Sequence, residues 1–173
     1  MPIPPKFLAE FFENNIYHVY NKTNNNELLF LNEENYFYFL KKYDEYLSPF
    51  LDTFCWNLLP DHFHLMIRIK PEEAISKIIH SKETKQITLT EKLFLQKKVS
   101  VSNLIGKTFT RFFQCYAQSF NKIHNRKGNL FYKPFKRIEV STDSQFTQAM
   151  IYIHANALKH GLVKDFTKHK WSS

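Results

Sequence analysis

The sequence predicts an α+β fold, a ferredoxin-like antiparallel sheet with helices packed on one face, and three observations carry that reading. Strand-like and helix-like stretches follow one another in the order β-α-β-β-α-β-α. The two central strands are separated by a Pro60-Asp61 turn, which makes them an antiparallel hairpin. Two long stretches each carry a single apolar stripe at helical spacing, and such a stripe needs a sheet to cover it.

Taken in order, the opening MPIPPKFLAEFFENN reads as a proline-stiffened lead-in and short helix. IYHVYN, residues 16–21, is β-branched and aromatic and makes a strand, and NKTNNNELLF is a polar loop ending on an apolar anchor. Asn32 before Glu33 and Glu34 is a helix N-cap with acidic residues in the first turn. Tyr36, Phe39, Leu40, Tyr43 and Leu47 then recur at helical spacing until Pro49. Residues 50–59 and 62–69 alternate as two strands. Residues 71–100 are charged and locally helical without a stripe that demands burial, so they read as a peripheral insertion in a single domain spanning 1–173. From Leu104 to His124 a long helix places Ile105, Phe109, Phe112, Phe113, Tyr116 and Phe120 on one face. Residues 133–140 make a further strand. Thr142 and Gln145 resemble a capping box opening a helix that runs to His160, with Gly161 just beyond it.

Composition narrows the partner. With 24 Lys and Arg against 16 Asp and Glu, the net charge of +8 favours a polyanion, because cations on phosphate release condensed counterions. An anionic membrane surface is the competing explanation. The chain lacks an apolar run of about 18 residues, a signal-peptide core and a basic amphipathic terminal helix, so no membrane partner is expected. Only two cysteines occur, Cys55 and Cys115, far apart and without a CxxC pattern, and that count excludes a zinc knuckle or a disulfide framework. Both are expected to be reduced and buried, in a cytoplasmic protein.

Residues two apart on a strand share a face. His62, His64, Met66 and Arg68 therefore lie opposite Phe63, Leu65, Ile67 and Ile69, the apolar set that belongs to the core. Imidazoles at this spacing can converge on one divalent cation, although the pair alone does not identify the ion. It reads equally as two polar residues on the solvent side of a sheet. On the last helix Phe146, Ala149, Met150, Ile153 and Ala157 form an apolar stripe, flanked by a polar one of Gln145, Gln148, Tyr152, Asn156 and Lys159. Asn156 lies one turn beyond Tyr152 on the same side. An amide oxygen suits Mg²⁺ or Mn²⁺, and a phenol is a candidate nucleophile, so one helix could present both. The alternative leaves Tyr152 packed at the core edge and Asn156 in local bonds. His154 points about 200° from Tyr152 and reads as structural. Between 121 and 137, Lys122, Arg126, Lys127, Lys133, Lys136 and Arg137 surround Phe131, Tyr132 and Phe135. Cations for phosphates and rings for unstacked bases are what a single-strand binder needs, whereas a solvated loop over tucked rings would look the same.

At these residues the sequence resembles the REP-associated tyrosine transposases, a branch of the single-tyrosine HUH transposases. The family's His-hydrophobe-His follows a Met-Pro-Asn-like turn; here it stands as Leu59-Pro60-Asp61-His62-Phe63-His64-Leu65. A second motif, similar to Tyr-Ile-His-x-Asn-Pro-x-x-x-Gly-Leu-Val, runs from Tyr152 through Asn156 to Gly161, Leu162 and Val163. Tyr17-His18-Val19-Tyr20-Asn21, the stretch from Arg126 to Phe131 and Trp171-Ser172-Ser173 also match, so the likeness extends from Tyr17 to Ser173. Asp61 replaces the usual Asn, Ala157 replaces the usual Pro, and the 71–100 segment is longer than in many relatives.

The resemblance implies an HUH endonuclease fold with His62, His64 and Asn156 as ligands to Mg²⁺ or Mn²⁺ and Tyr152 as nucleophile. It implies a metal-dependent single-stranded DNA endonuclease and strand transferase. Such an enzyme nicks hairpin DNA through a 5′-phosphotyrosine and reseals that linkage to another 3′-OH. A free phenol ionises near pH ~10, so Tyr152 would need an activating group, which the sequence does not identify. Single-stranded or hairpin DNA is then the expected partner, with a homodimer the only protein partner implied. Three other readings stand beside it: a domesticated hairpin DNA- or RNA-binding protein without cleavage, a phosphodiesterase using water, and an RRM-like RNA binder. An RRM carries aromatics on its central strands where this chain carries histidines.

Overall fold

The structure, a computed structural model, describes residues 4–173. Four strands, β1 (Ile16–Lys22), β2 (Leu51–Leu58), β3 (His62–Ile69) and β4 (Lys136–Val140), form one antiparallel sheet in the order β2-β3-β1-β4. That is the ferredoxin-like order expected. The β2–β3 hairpin closes on Pro60 and Asp61, with Leu59 and His62 exchanging backbone hydrogen bonds of 2.8 and 3.3 Å. On β3 the side-chain alternation is as the sequence predicts: Phe63, Leu65, Ile67 and Ile69 are buried in the main core. Their cross-strand neighbours Tyr17 and Val19 on β1 join them.

Helices α1 (Glu33–Tyr46) and α4 (Val101–Ile123) cover that face. The Asn32 side-chain oxygen accepts from Asn35 N–H at 3.1 Å and opens α1. All six stripe residues of α4 are buried. Phe39 sits at the centre of the resulting aromatic core, its ring centroid 4.9–5.3 Å from those of Phe30, Phe63, Phe112 and Tyr116. The Tyr116 hydroxyl, wholly inside it, donates to the Leu29 carbonyl at 2.7 Å, so its burial leaves no polar atom unsatisfied.

The expected one-face arrangement describes α1 and α4. The last helix, α5 (Asp143–Lys159), lies across the opposite face. There Cys55 and Met66 make a small apolar patch on an otherwise polar surface, and Ile153 seats on it beside Phe146, Ala149 and Met150. The Asn57 amide donates to the Ile153 carbonyl at 2.7 Å and fixes the contact. Thr142 caps α5 by accepting from Gln145 N–H, while the Gln145 side chain accepts from Ser141 N–H rather than from the cap residue. Gly161, at φ +69°, lets the helix end in a Schellman motif, with Leu162 N–H on the Ala157 carbonyl and Gly161 N–H on that of Leu158.

Three expectations need correction. Residues 71–100 are more than a peripheral insertion: α2 (Glu72–His80) and α3 (Leu89–Leu95) bury Ile75, Ile79 and Phe94 in the main core. The lead-in forms a single 3₁₀ turn, Pro5–Phe7, and no longer helix. Leu8 bridges Arg137 on β4 instead, and Phe11 drops into the core; residues 1–3 of that stretch lie outside the described residues. Of the two unpaired cysteines, Cys55 is buried but Cys115 only half so.

Candidate active site

The face of β3 turned toward α5 carries His62 and His64, their ring centroids 5.2 Å apart and nearly perpendicular. Each ring is held at Nδ1. His62 Nδ1 donates to the Asp61 carboxylate at 2.6 Å, and His64 Nδ1 lies 2.9 Å from Nε2 of His18 on β1. Register explains the second contact: Tyr20 pairs with His64 and His18 with Met66, so His18 and Tyr20 share the face of the β3 histidines. Burial pushes the His64 imidazolium down to about 2, with the charges of His18, His62, His160 and Lys159 adding to the effect. Burial alone takes His18 to about 4. Both are neutral near pH 7, the state in which an imidazole binds a metal.

α5 brings Tyr152 over these rings. Its centroid is 5.5 Å from His64 and 6.0 Å from His18, and the side chain remains 41% exposed. Lys159 Nζ stands 5.3 Å from the Tyr152 ring. Two turns beyond Tyr152, the His160 ring is 4.9 Å from His62. Asn156 lies midway between Tyr152 and His160 on the same side of the helix, on the stretch that faces the histidine pair. It is fully buried, and among the described residues neither its amide oxygen nor its nitrogen has a hydrogen-bond partner. An unsatisfied buried amide costs about 1–3 kcal/mol, so a group that bonds to it would relieve a penalty. His154 is engaged elsewhere, with Met150 and Ser173 carbonyls, as its position on the helix predicts.

Two clefts meet at this point. One of about 580 Å³ is bounded by Lys22, Asp61, His62, Tyr132, Lys136 and His160. The other, about 430 Å³, runs toward Glu139, Gln145 and Gln148, and His64, Tyr20 and Tyr152 border both. Lys136 stands over the Tyr20 ring and Lys22 over the Tyr132 ring. An extended, negatively charged strand would therefore meet cations and flat ring faces in the larger cleft, on one side of Tyr152, and neutral amides with Glu139 in the smaller one.

Among the described residues, no three His, Cys, Asp or Glu side chains are placed to hold a cation by themselves. The donor set nevertheless fits a hard divalent ion. Among the described residues nothing hydrogen-bonds Nε2 of His62 or His64, and Asn156 supplies an oxygen that no described residue uses.

The basic segment divides. Tyr132 and Lys136 border the larger cleft, and Lys122, Lys127 and Lys133 are exposed. Three other expected DNA contacts are taken up by the fold. Phe131 is buried in the main core and cannot stack on a base. Arg126 pairs with Glu27 and donates to Asn121 Oδ1 and to the Gly128 and Asn129 carbonyls. Arg137 donates to the Ala9 carbonyl and lies between the Phe11 and Phe135 rings. Conversely, His18, Tyr20, Lys22, Lys159 and His160 enter the site without having been singled out. For the first three the signal was the alternation of IYHVYNK, one residue longer than the strand expected, which the β1–β3 register alone makes readable.

No family model matches the chain, and no curated protein matches it in sequence. Among solved structures it is similar to a REP-associated tyrosine transposase bound to a REP hairpin, with a TM-score of 0.55. The likeness covers 95% of this chain and 79% of that one at 14% sequence identity. At such low identity it is the fold that the two share: a four-stranded antiparallel sheet with its helices, a layout found in a tyrosine transposase.

Proposed function

We propose that this protein is a metal-dependent single-stranded DNA endonuclease and strand transferase that cuts hairpin DNA and becomes linked to its 5′ end through Tyr152. The observation that carries this reading is the exposed Tyr152 phenol, its ring 5.5 Å from that of His64, in the cleft that His62 also lines. The fold shared with a hairpin-bound transposase supports it.

His62, His64 and Asn156 would hold Mg²⁺ or Mn²⁺, which supplies Lewis-acid polarisation of the scissile phosphate when bound. Tyr152 then attacks phosphorus in line. A bond forms from its oxygen to phosphorus as the bond from phosphorus to the 3′-oxygen breaks, and the phenol proton is lost as the leaving 3′-oxygen gains one. The ester conserves the energy of the phosphodiester, so a 3′-OH attacking the same phosphorus reseals the strand and frees Tyr152. Lys22, Lys136 and the faces of Tyr20 and Tyr132 would hold the strand along the larger cleft beside Tyr152.

The test is incubation with end-labelled hairpin DNA and Mn²⁺, followed by denaturing electrophoresis. A shifted band that survives denaturation, is lost with EDTA and is absent in Tyr152→Phe is expected. Cleavage without an adduct would make water the nucleophile. Binding without cleavage would leave a hairpin-binding protein.

A further inference from the structure

We infer that His18 is a positioning residue for the cation site: its Nε2 accepts the Nδ1 proton of the His64 tautomer that can bind a metal, and so supports that tautomer. This role rests on the metal reading above and adds a residue to it.

His18 Nε2 and His64 Nδ1 are 2.9 Å apart. A hydrogen bond between two neutral imidazoles carries one proton, and it can sit on either nitrogen. If His18 donates, the proton of His64 is on Nε2, and that nitrogen has no lone pair to give a cation. If His64 donates, its Nε2 is free to ligate, and His18 must carry its own proton on Nδ1. Only the second arrangement is competent. A cation at His64 Nε2 and an acceptor at His18 Nε2 therefore favour the same proton placement.

The neighbouring ligand shows the same device built from a different residue. His62 Nδ1 is bonded to the Asp61 carboxylate, which can only accept, so His62 is locked with Nε2 outward. The two histidines thus present the same nitrogen, one through a carboxylate and one through an imidazole. Neighbouring rings hold the His18 imidazole in place, Tyr20 at 4.9 Å between centroids and Tyr152 at 6.0 Å. A hydrogen-bond partner behind a metal-bound imidazole commonly changes affinity about 10–100-fold.

The experiment compares Mn²⁺ binding by calorimetry in the wild type, His18→Leu and His18→Gln, without DNA. It is combined with nitrogen-15 NMR of the His64 ring in the metal-free proteins. His18→Leu removes the acceptor, and His18→Gln offers an amide oxygen in its place. Expected are an Nδ1–H tautomer for His64 in the wild type and its loss in His18→Leu. Mn²⁺ affinity should fall about 10–100-fold in that variant and recover substantially in His18→Gln. Thermal midpoints measured beside each titration separate misfolding from loss of the acceptor, and the Gln variant carries the test if the Leu variant is unfolded. Equal affinity in all three, or an Nε2–H tautomer in the wild type, overturns the role of His18 while the metal reading stands. A wild type that binds no Mn²⁺ overturns both.

Discussion

Arg126 illustrates how a cation that resembles a phosphate contact is used by the fold. Its guanidinium pairs with Glu27 and reaches Asn121 Oδ1 and the carbonyls of Gly128 and Asn129, closing the loop that follows α4. Arg126→Ala removes these bonds, but most of the acceptors are exposed and water can pair with them, so the cost is about 0.5–1.5 kcal/mol. A lower urea midpoint is expected, with hairpin affinity at fixed salt changed less than about twofold; a large loss of affinity at unchanged stability would return Arg126 to the DNA surface. At this scale the His62 and His64 faces were legible, because strand alternation is local and Phe63 and Leu65 declare the core side. The fates of Arg126, Arg137 and Phe131 were not. Whether a charge meets solvent or a carbonyl depends on chain segments up to 128 residues away, as with Arg137 and Ala9.

Among the elements, α4 was readable from its single aromatic stripe, and α1 from its Asn32 cap. The short stripe of α2 was lost among charges, since Ile75 and Ile79 alone define it. α5 was placed on the right residues, yet its seat across the sheet depends on Cys55 and Met66, which β2 and β3 bring together only after pairing. α3 offers a test. Glu91 is buried in a capping box with Thr88 and bonded to Lys82. Burial by itself would raise its carboxyl, but Lys82 and the Thr88 amide outweigh that and hold it below the ordinary 4.5. A depressed carboxylate stabilises the fold above its unfolded value and loses that contribution as pH falls through the folded one. Glu91→Gln should therefore lower the urea midpoint at pH 7, and the gap to wild type should narrow below pH ~4. A gap independent of pH would assign the stabilisation to packing.

For the molecule as a whole, each sheet edge is covered in part by another segment of the chain. Leu8 and Ala9 lie along β4. Along β2, Leu58 N–H bonds the Trp171 carbonyl and Ser173 N–H that of Trp56. Trp171 is pinned by stacking on Tyr36 at 4.3 Å. The end of β2 at 56–58 and β4 at Arg137 are thereby shielded from pairing with a second copy. The link from β4 to α5 has a further consequence. Only Ser141 and Thr142 join Val140 to Asp143, and Ser141 N–H and hydroxyl both bond the Gln145 side chain. So short and tethered a connection keeps Tyr152 beside the histidines of its own chain. If the protein forms the adduct proposed above, the reaction should be first order in protein: diluting the protein tenfold at saturating hairpin and Mn²⁺ should leave the rate of adduct formation per molecule unchanged, whereas a reaction needing a borrowed tyrosine would slow with every dilution.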